Sequence, residues 1–135
     1  MIAAALALIL VSTDPTDVTG YWLTPDGDTV EVYPCGESVC GRIVASPDID
    51  PAGEPVVDEN NPDPALRDRE ILGMVFIEGF EKSRKGWRKG TIYDPRDGKT
   101  YRSAMSRDED TLNVKGCVGP FCRTLTWTQT SAPAE

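Results

Sequence analysis

The sequence predicts an all-β fold of about eight antiparallel strands, closed as a barrel or stacked as a sandwich. Three observations carry that expectation. Short runs rich in Val, Ile, Thr, Tyr and Trp alternate with polar residues, as in TVEVYP and RTLTWTQ. Turn signals such as PDGD, PRDGK and VGP fall between those runs. The second half of the chain reads as an uninterrupted meander, strand after strand joined by tight turns.

The chain opens on MIAAALALILVST, uncharged through Thr13. Its apolar core, Ile2 to Val11, is too short to span a bilayer and the right length for a secretory signal. A signal peptide over 1–13 is therefore expected, with a buried N-terminal strand or helix as the alternative. The remaining 14–135 is expected to form a single domain with no transmembrane span, periplasmic or secreted.

The first strand is GYWLT, Gly20 to Thr24. After PDGD comes TVEVYP, which puts Val30, Val32 and Pro34 on one face and Glu31 and Tyr33 on the other. CGRIVAS follows from Cys40, then a Pro-, Asp- and Gly-rich loop. The long apolar run ILGMVFIEGF, Ile71 to Phe80, is expected to be one continuous central strand. Beyond it, GWRKGTIYD, TYRSAMS, TLNVKG and RTLTWTQ complete the set. Tyr101, Ser103 and Met105 share a face, as do Leu112 with Val114 and Leu125 with Trp127.

Between the third and fourth strands lies DENNPDPALRDREILG, Asp58 to Gly73, the most polar stretch in the chain. Asn61 precedes Pro62 and is pushed away from helix. Asp63 then caps a short helix that has Pro64 at its first position, where a missing N–H costs nothing. Asp58, Glu59, Asn60 and Asn61 exceed what a helix start needs. They can pair with Arg67 and Arg69, or line a cavity mouth; the alternation of a calcium loop is absent.

Charge and composition narrow the function. The net charge of −8 disfavours nucleic acid and anionic membrane as partners. The basic run Lys82 to Lys89, KSRKGWRK, departs from that average and reads as a solvated hairpin end, with a local cationic patch as the alternative. The chain has no histidine, which removes the usual general base, the commonest zinc ligand and every Ser-His or Cys-His pair. No catalytic residue, metal or cofactor is expected. An enzyme would have to run on carboxylates, with Asp58, Glu59, Asp63 and Asp94 as the available acids.

The four cysteines form two local pairs, Cys35 with Cys40 and Cys117 with Cys122, each at the end of a hairpin. Disulfides within each hairpin are expected in an oxidising compartment; a bridge between the hairpins is the alternative.

Several segments together resemble a family of small exported bacterial proteins, domain of unknown function 2147. They are Gly20-Tyr21-Trp22, Cys35-Gly36 with Cys40-Gly41-Arg42-Ile43, the signature DENNPDPALR, Leu72-Gly73, Gly90 with Ile92-Tyr93-Asp94-Pro95, Gly98-Lys99-Thr100-Tyr101 and Gly116-Cys117-Val118-Gly119. The similarity runs from Gly20 to Trp127. It departs at the end, where Thr128 and Gln129 stand in place of an Arg that commonly follows the last Trp. The resemblance implies a lipocalin-like β-barrel with one short helix between strands three and four. Gly-x-Trp is similar to the lipocalin N-terminal motif, in which the Trp plugs the barrel base under a basic residue of the last strand; Arg123 is the nearest candidate beside Trp22, with Lys115 as a second. A barrel of this kind implies a small hydrophobic or amphipathic ligand, with Asn60, Asn61, Tyr93 and Tyr101 as candidate contacts. A filled barrel that docks on an envelope protein is the alternative.

Overall fold

In a computed structural model that describes residues 12–48 and 55–134, nine strands form one antiparallel sheet that closes on itself. They are β1 Gly20–Leu23, β2 Thr29–Cys35, β3 Ser38–Ala45, β4 Val75–Glu78, β5 Glu81–Ser83, β6 Gly86–Asp94, β7 Lys99–Asp108, β8 Thr111–Val118 and β9 Phe121–Thr130. The order β4-β3-β2-β1-β9-β8-β7-β6-β5 becomes a barrel because β4 also pairs with β6. β4 and β5 pair successive parts of β6 and act as one interrupted stave, which gives an eight-stranded closed barrel. Closure removes the exposed edges that an open sheet of this size would present.

Alternation fills the interior. Val30 and Val32 of β2, Met105 of β7, Leu112 and Val114 of β8 and Trp127 of β9 are buried, while their neighbours face outward. Pro34, expected to share the Val30 face, is exposed because β2 there runs off the barrel into its hairpin. The run Ile71 to Phe80 is not one strand. Gly73 and Gly79 adopt positive φ (86° and 81°), so the chain turns before Val75 and bends again after Glu78. Asp63 caps a single 3-10 turn, Pro64–Leu66, by accepting from the Ala65 N–H.

The two ends of the barrel differ. At one end the segment before β1 crosses the opening: the Arg107 N–H donates to the Pro15 carbonyl at 3.0 Å, and the Trp87 indole donates to Thr16 at 2.9 Å. Trp22 is fully buried there, with its indole N–H on the Val18 carbonyl at 2.9 Å. Of the signal expected over 1–13, residues 1–11 lie outside the described residues; Ser12 bridges to Glu109 at this end.

The basic residue that covers Trp22 is Arg107 of β7, not Arg123. Its guanidinium lies 5.4 Å from the Trp22 ring centroid and donates to the carbonyls of Glu109 and Asp17. The correction follows from strand direction. β9 runs from the open end at Phe121 toward Thr130, and the β9 residue opposite Trp22 is Gln129. Arg123 stands six residues earlier, about 20 Å away along the strand. Lys115 is no closer to the part, since it projects from the outer wall opposite Thr124.

Both disulfides are intra-hairpin. Cys35–Cys40 ties β2 to β3 at the closed end, and Cys117–Cys122 ties facing residues of β8 and β9 at the open end.

Candidate functional site

The open end leads into a cavity of about 550 Å³, within the range that small-molecule sites occupy. Its floor is apolar, built from Val30, Ile43, Phe76, Val114, Leu125 and Trp127. Phe76 and Trp127 stack with centroids 6.4 Å apart. Gly116 faces this space, and a Cβ placed there meets only Tyr101 and Ile92 at 3.9 and 4.0 Å. The Trp127 indole N–H is itself buried, and among the described residues it has no hydrogen-bond acceptor. A buried donor left in that state is costly.

The rim is polar and is held by two networks. In the first, Arg96 of the β6–β7 turn reaches Asp28 at 3.2 Å, Asp26 at 3.3 Å and Asp48 at 3.7 Å. Ser46 donates to the second oxygen of Asp28 at 2.6 Å. One side chain thus straps three segments around the mouth. Sequence reasoning read PDGD and PRDG only as turns; their opposite charges were the available signal, but nothing local says that the turns meet.

The second network is built on Asp58, which is fully buried. Its carboxylate accepts from Tyr93 Oη at 2.7 Å, Asn61 Nδ2 at 2.8 Å and an Arg69 nitrogen at 3.0 Å. Burial opposes ionisation, but the three donors outweigh it and hold the Asp58 carboxyl below the usual range. Burial of the phenol, together with the same contact to Asp58, pushes Tyr93 up to about 12.

The signature residues therefore have assigned places. Asn60 lines the cavity, and its amide donates to the Pro95 and Arg96 carbonyls at 3.1 and 3.2 Å. Gly98 is the seat for this contact: its φ is +70°, and a Cβ there falls 2.0 Å from the Asn60 carbonyl oxygen. Asn61 is buried within the Asp58 network and does not line the cavity. Arg67 donates to the Asn61 carbonyl at 2.8 Å, and Glu59 stands exposed at the rim. Tyr93 and Tyr101 both line the cavity, with hydroxyls committed to Asp58 and Asp97. Arg123 lines the mouth too, and among the described residues it has no ion pair or hydrogen bond through its side chain. Asp58 and Asp94 sit at the same end, as a carboxylate enzyme requires. Asp58, however, is held ionised with its oxygens occupied, the opposite of a general acid. Among the described residues no group of three or more His, Cys, Asp or Glu is placed to hold a metal ion.

The barrel is similar to a solved structure, protein HP1028 from the human pathogen Helicobacter pylori, described as belonging to the lipocalin family. The TM-score is 0.76 at 23% identity, over 86% of this chain and 84% of that one. A comparison with curated proteins gives no match. Residues 20–129 match the family described as "uncharacterized protein conserved in bacteria (DUF2147)", the same span that folds into the barrel and bears its mouth. The chain belongs to that family, and its fold is lipocalin-like.

Proposed function

We propose that this protein holds a small, partly apolar ligand in its barrel, outside the cytoplasm. The open-ended cavity with its apolar floor carries the reading. A molecule of this kind would bury an apolar body against Phe76, Val114 and Leu125. It would offer a polar end to the rim, where Arg123 is uncommitted among the described residues. Asn60, Tyr93 and Tyr101 would shape the wall, since their polar atoms already serve neighbouring turns. The two disulfides support an oxidising location, periplasmic or secreted. Among the described residues no helix is long and apolar enough to cross a membrane.

Native mass spectrometry of protein taken from its own bacterium tests this. The expected result is a retained mass that is absent from the Gly116→Leu variant, whose new side chain enters the cavity. A bare polypeptide mass in both, with no uptake of a polarity-sensitive dye, would sink the reading. Docking on an envelope protein is the second reading, favoured by the β8–β9 tip: Phe121 is 80% exposed and Val118 58%. Phe121→Ser separates the two, because it should leave the retained mass in place.

A further inference from the structure

A second concavity lies on the outer wall, away from the mouth. It has a volume of about 770 Å³ and is bounded by the β5–β6 hairpin and the outward faces of β7, β8 and β9. Arg84, Lys85, Arg88 and Lys115 surround it, and among the described residues no acidic side chain contributes to its lining. The contrast with the rest of the molecule is sharp: the chain carries 22 acids against 14 bases, and the mouth cavity is lined by Asp26, Asp28, Asp48, Glu59 and Asp94. Among the described residues none of the four enters an ion pair; Glu81, which faces Arg88 across the β5–β6 ladder, pairs instead with the neighbouring Lys89 at 3.7 Å.

The groove is shaped by a backbone constraint. Gly86 has φ +136°, and a Cβ there would fall 2.4 Å from the Met105 carbonyl oxygen and 2.9 Å from the Ser106 Cβ. Only glycine lets the hairpin pass this close to β7, and that passage sets Arg84 and Lys85 beside the wall that bears Lys115. Neutral hydrogen-bonding side chains, Ser106, Asn113 and Thr124, line the same wall. Clustered like charges repel one another, so four cations around one concavity, none of them held in an ion pair among the described residues, raise the local potential and favour a counter-ion.

We infer that this groove binds a compact phosphate-bearing anion. Guanidinium forks of Arg84 and Arg88 match phosphate oxygens in pairs, and the two lysines add point charges. The concavity is of small-molecule size. A nucleic acid fits poorly, because Trp87 in the groove lining is buried and offers no face on which bases could stack. The phosphate can belong to a free ester or to a lipid head group.

The test uses the full disulfide-bonded protein. Amide spectra are recorded during titration with inorganic pyrophosphate, beside cosedimentation with vesicles of phosphatidylglycerol in phosphatidylcholine. Shifts should concentrate on Ser83 to Arg88, Ser106, Asn113 and Lys115. Arg84→Glu with Lys85→Glu, at an exposed hairpin tip, should weaken binding by about tenfold or more, and Lys115→Gln should act in the same direction. Lys99→Glu, beside the mouth, should change nothing, and dye uptake by the barrel should be unaffected throughout. A pyrophosphate response assigns a free phosphate ester; a response to vesicles alone assigns a head group. Binding of neither probe, binding that survives the double reversal, or equal loss in Lys99→Glu overturns the inference.

Discussion

Replacing Asp58 by Ala removes the acceptor for three donors at once, and the structure sets the scale of the loss. Tyr93 Oη and Asn61 Nδ2 would remain inside the protein without a partner, at about 1–3 kcal/mol each. Arg69 adds little, because its side chain is 38% exposed and can return to water. The total is about 2–6 kcal/mol, a large share of the 5–15 kcal/mol that holds a typical domain. Asp58→Asn keeps the shape and one good acceptor, and the Tyr93 hydroxyl can rotate to accept from the new amide. Roughly half that loss is expected. Urea unfolding followed by tryptophan fluorescence reads both values. The pH dependence adds a second check. Asp58 has a lowered carboxyl pKa, so its contribution is complete above the ordinary value near 3.9 and fades as pH falls through the folded value. Tyr93 is raised to about 12, so the advantage of its neutral form is complete below about 10 and fades as pH rises through 12. In a tyrosinate titration the component removed by Tyr93→Phe should be the late one, and it should move earlier in Asp58→Asn. If Asp58→Ala unfolds within about 1 kcal/mol of the parent, or Tyr93 ionises normally, the buried network does not hold the mouth as described.

Gly98→Ala forces an L side chain to positive φ and into the Asn60 carbonyl, so a loss of about 2–4 kcal/mol is expected. Hydrogen exchange should show the amides of Asp58 and Asn61 losing protection while β7 to β9 keep theirs; equal protection everywhere would refute it. Reducing both disulfides releases two short loops worth about 2 kcal/mol each, so the unfolding midpoint should fall with reductant while the spectrum of the folded barrel persists below it. Arg107→Ala should cost about 2 kcal/mol, for the carbonyl partners and ring contact it abandons, whereas Arg123→Gln should stay within about 0.5 kcal/mol. The reverse ranking would restore Arg123 as the cover of Trp22.

The barrel was legible in the sequence because its cause is local: a period of two buries Leu112 and Val114 or Leu125 and Trp127 without reference to anything distant. The cap of the signature turn was legible for the same reason, since Asp63 and Pro64 act within three residues. The features that were missed are long-range. The Arg69 partner of Asp58, 11 residues away, was among those expected, but Tyr93, 35 residues away, was not. Arg107 and Arg123 look alike until strand direction puts them at opposite ends. Gly73 and Gly79 hide in an apolar run whose hydrophobicity says strand, while the backbone they permit says turn.

What that polar signature does follows from the weakest part of the cylinder. β4 meets β6 through only two residue pairs, Ile77 with Ile92 and Glu78 with Thr91, because the chain has just emerged from the Gly73 turn and bends again at Gly79. Above that short ladder the two strands would part, and the opening would spread down the seam. The signature loop fastens it from outside the ladder: Asp58 grips Tyr93 one residue beyond Ile92, and Asn60 holds the turn that follows β6. Side-chain bonds there replace the backbone bonds that a longer β4 would have made. A continuous ladder would have carried β4 upward beside the mouth; the polar loop closes the seam while leaving the barrel open at its top. Asp58 and Asn60 reach partners across the seam while Asn61 and Asp63 order the loop itself, and the cavity beside them is the space that this arrangement preserves.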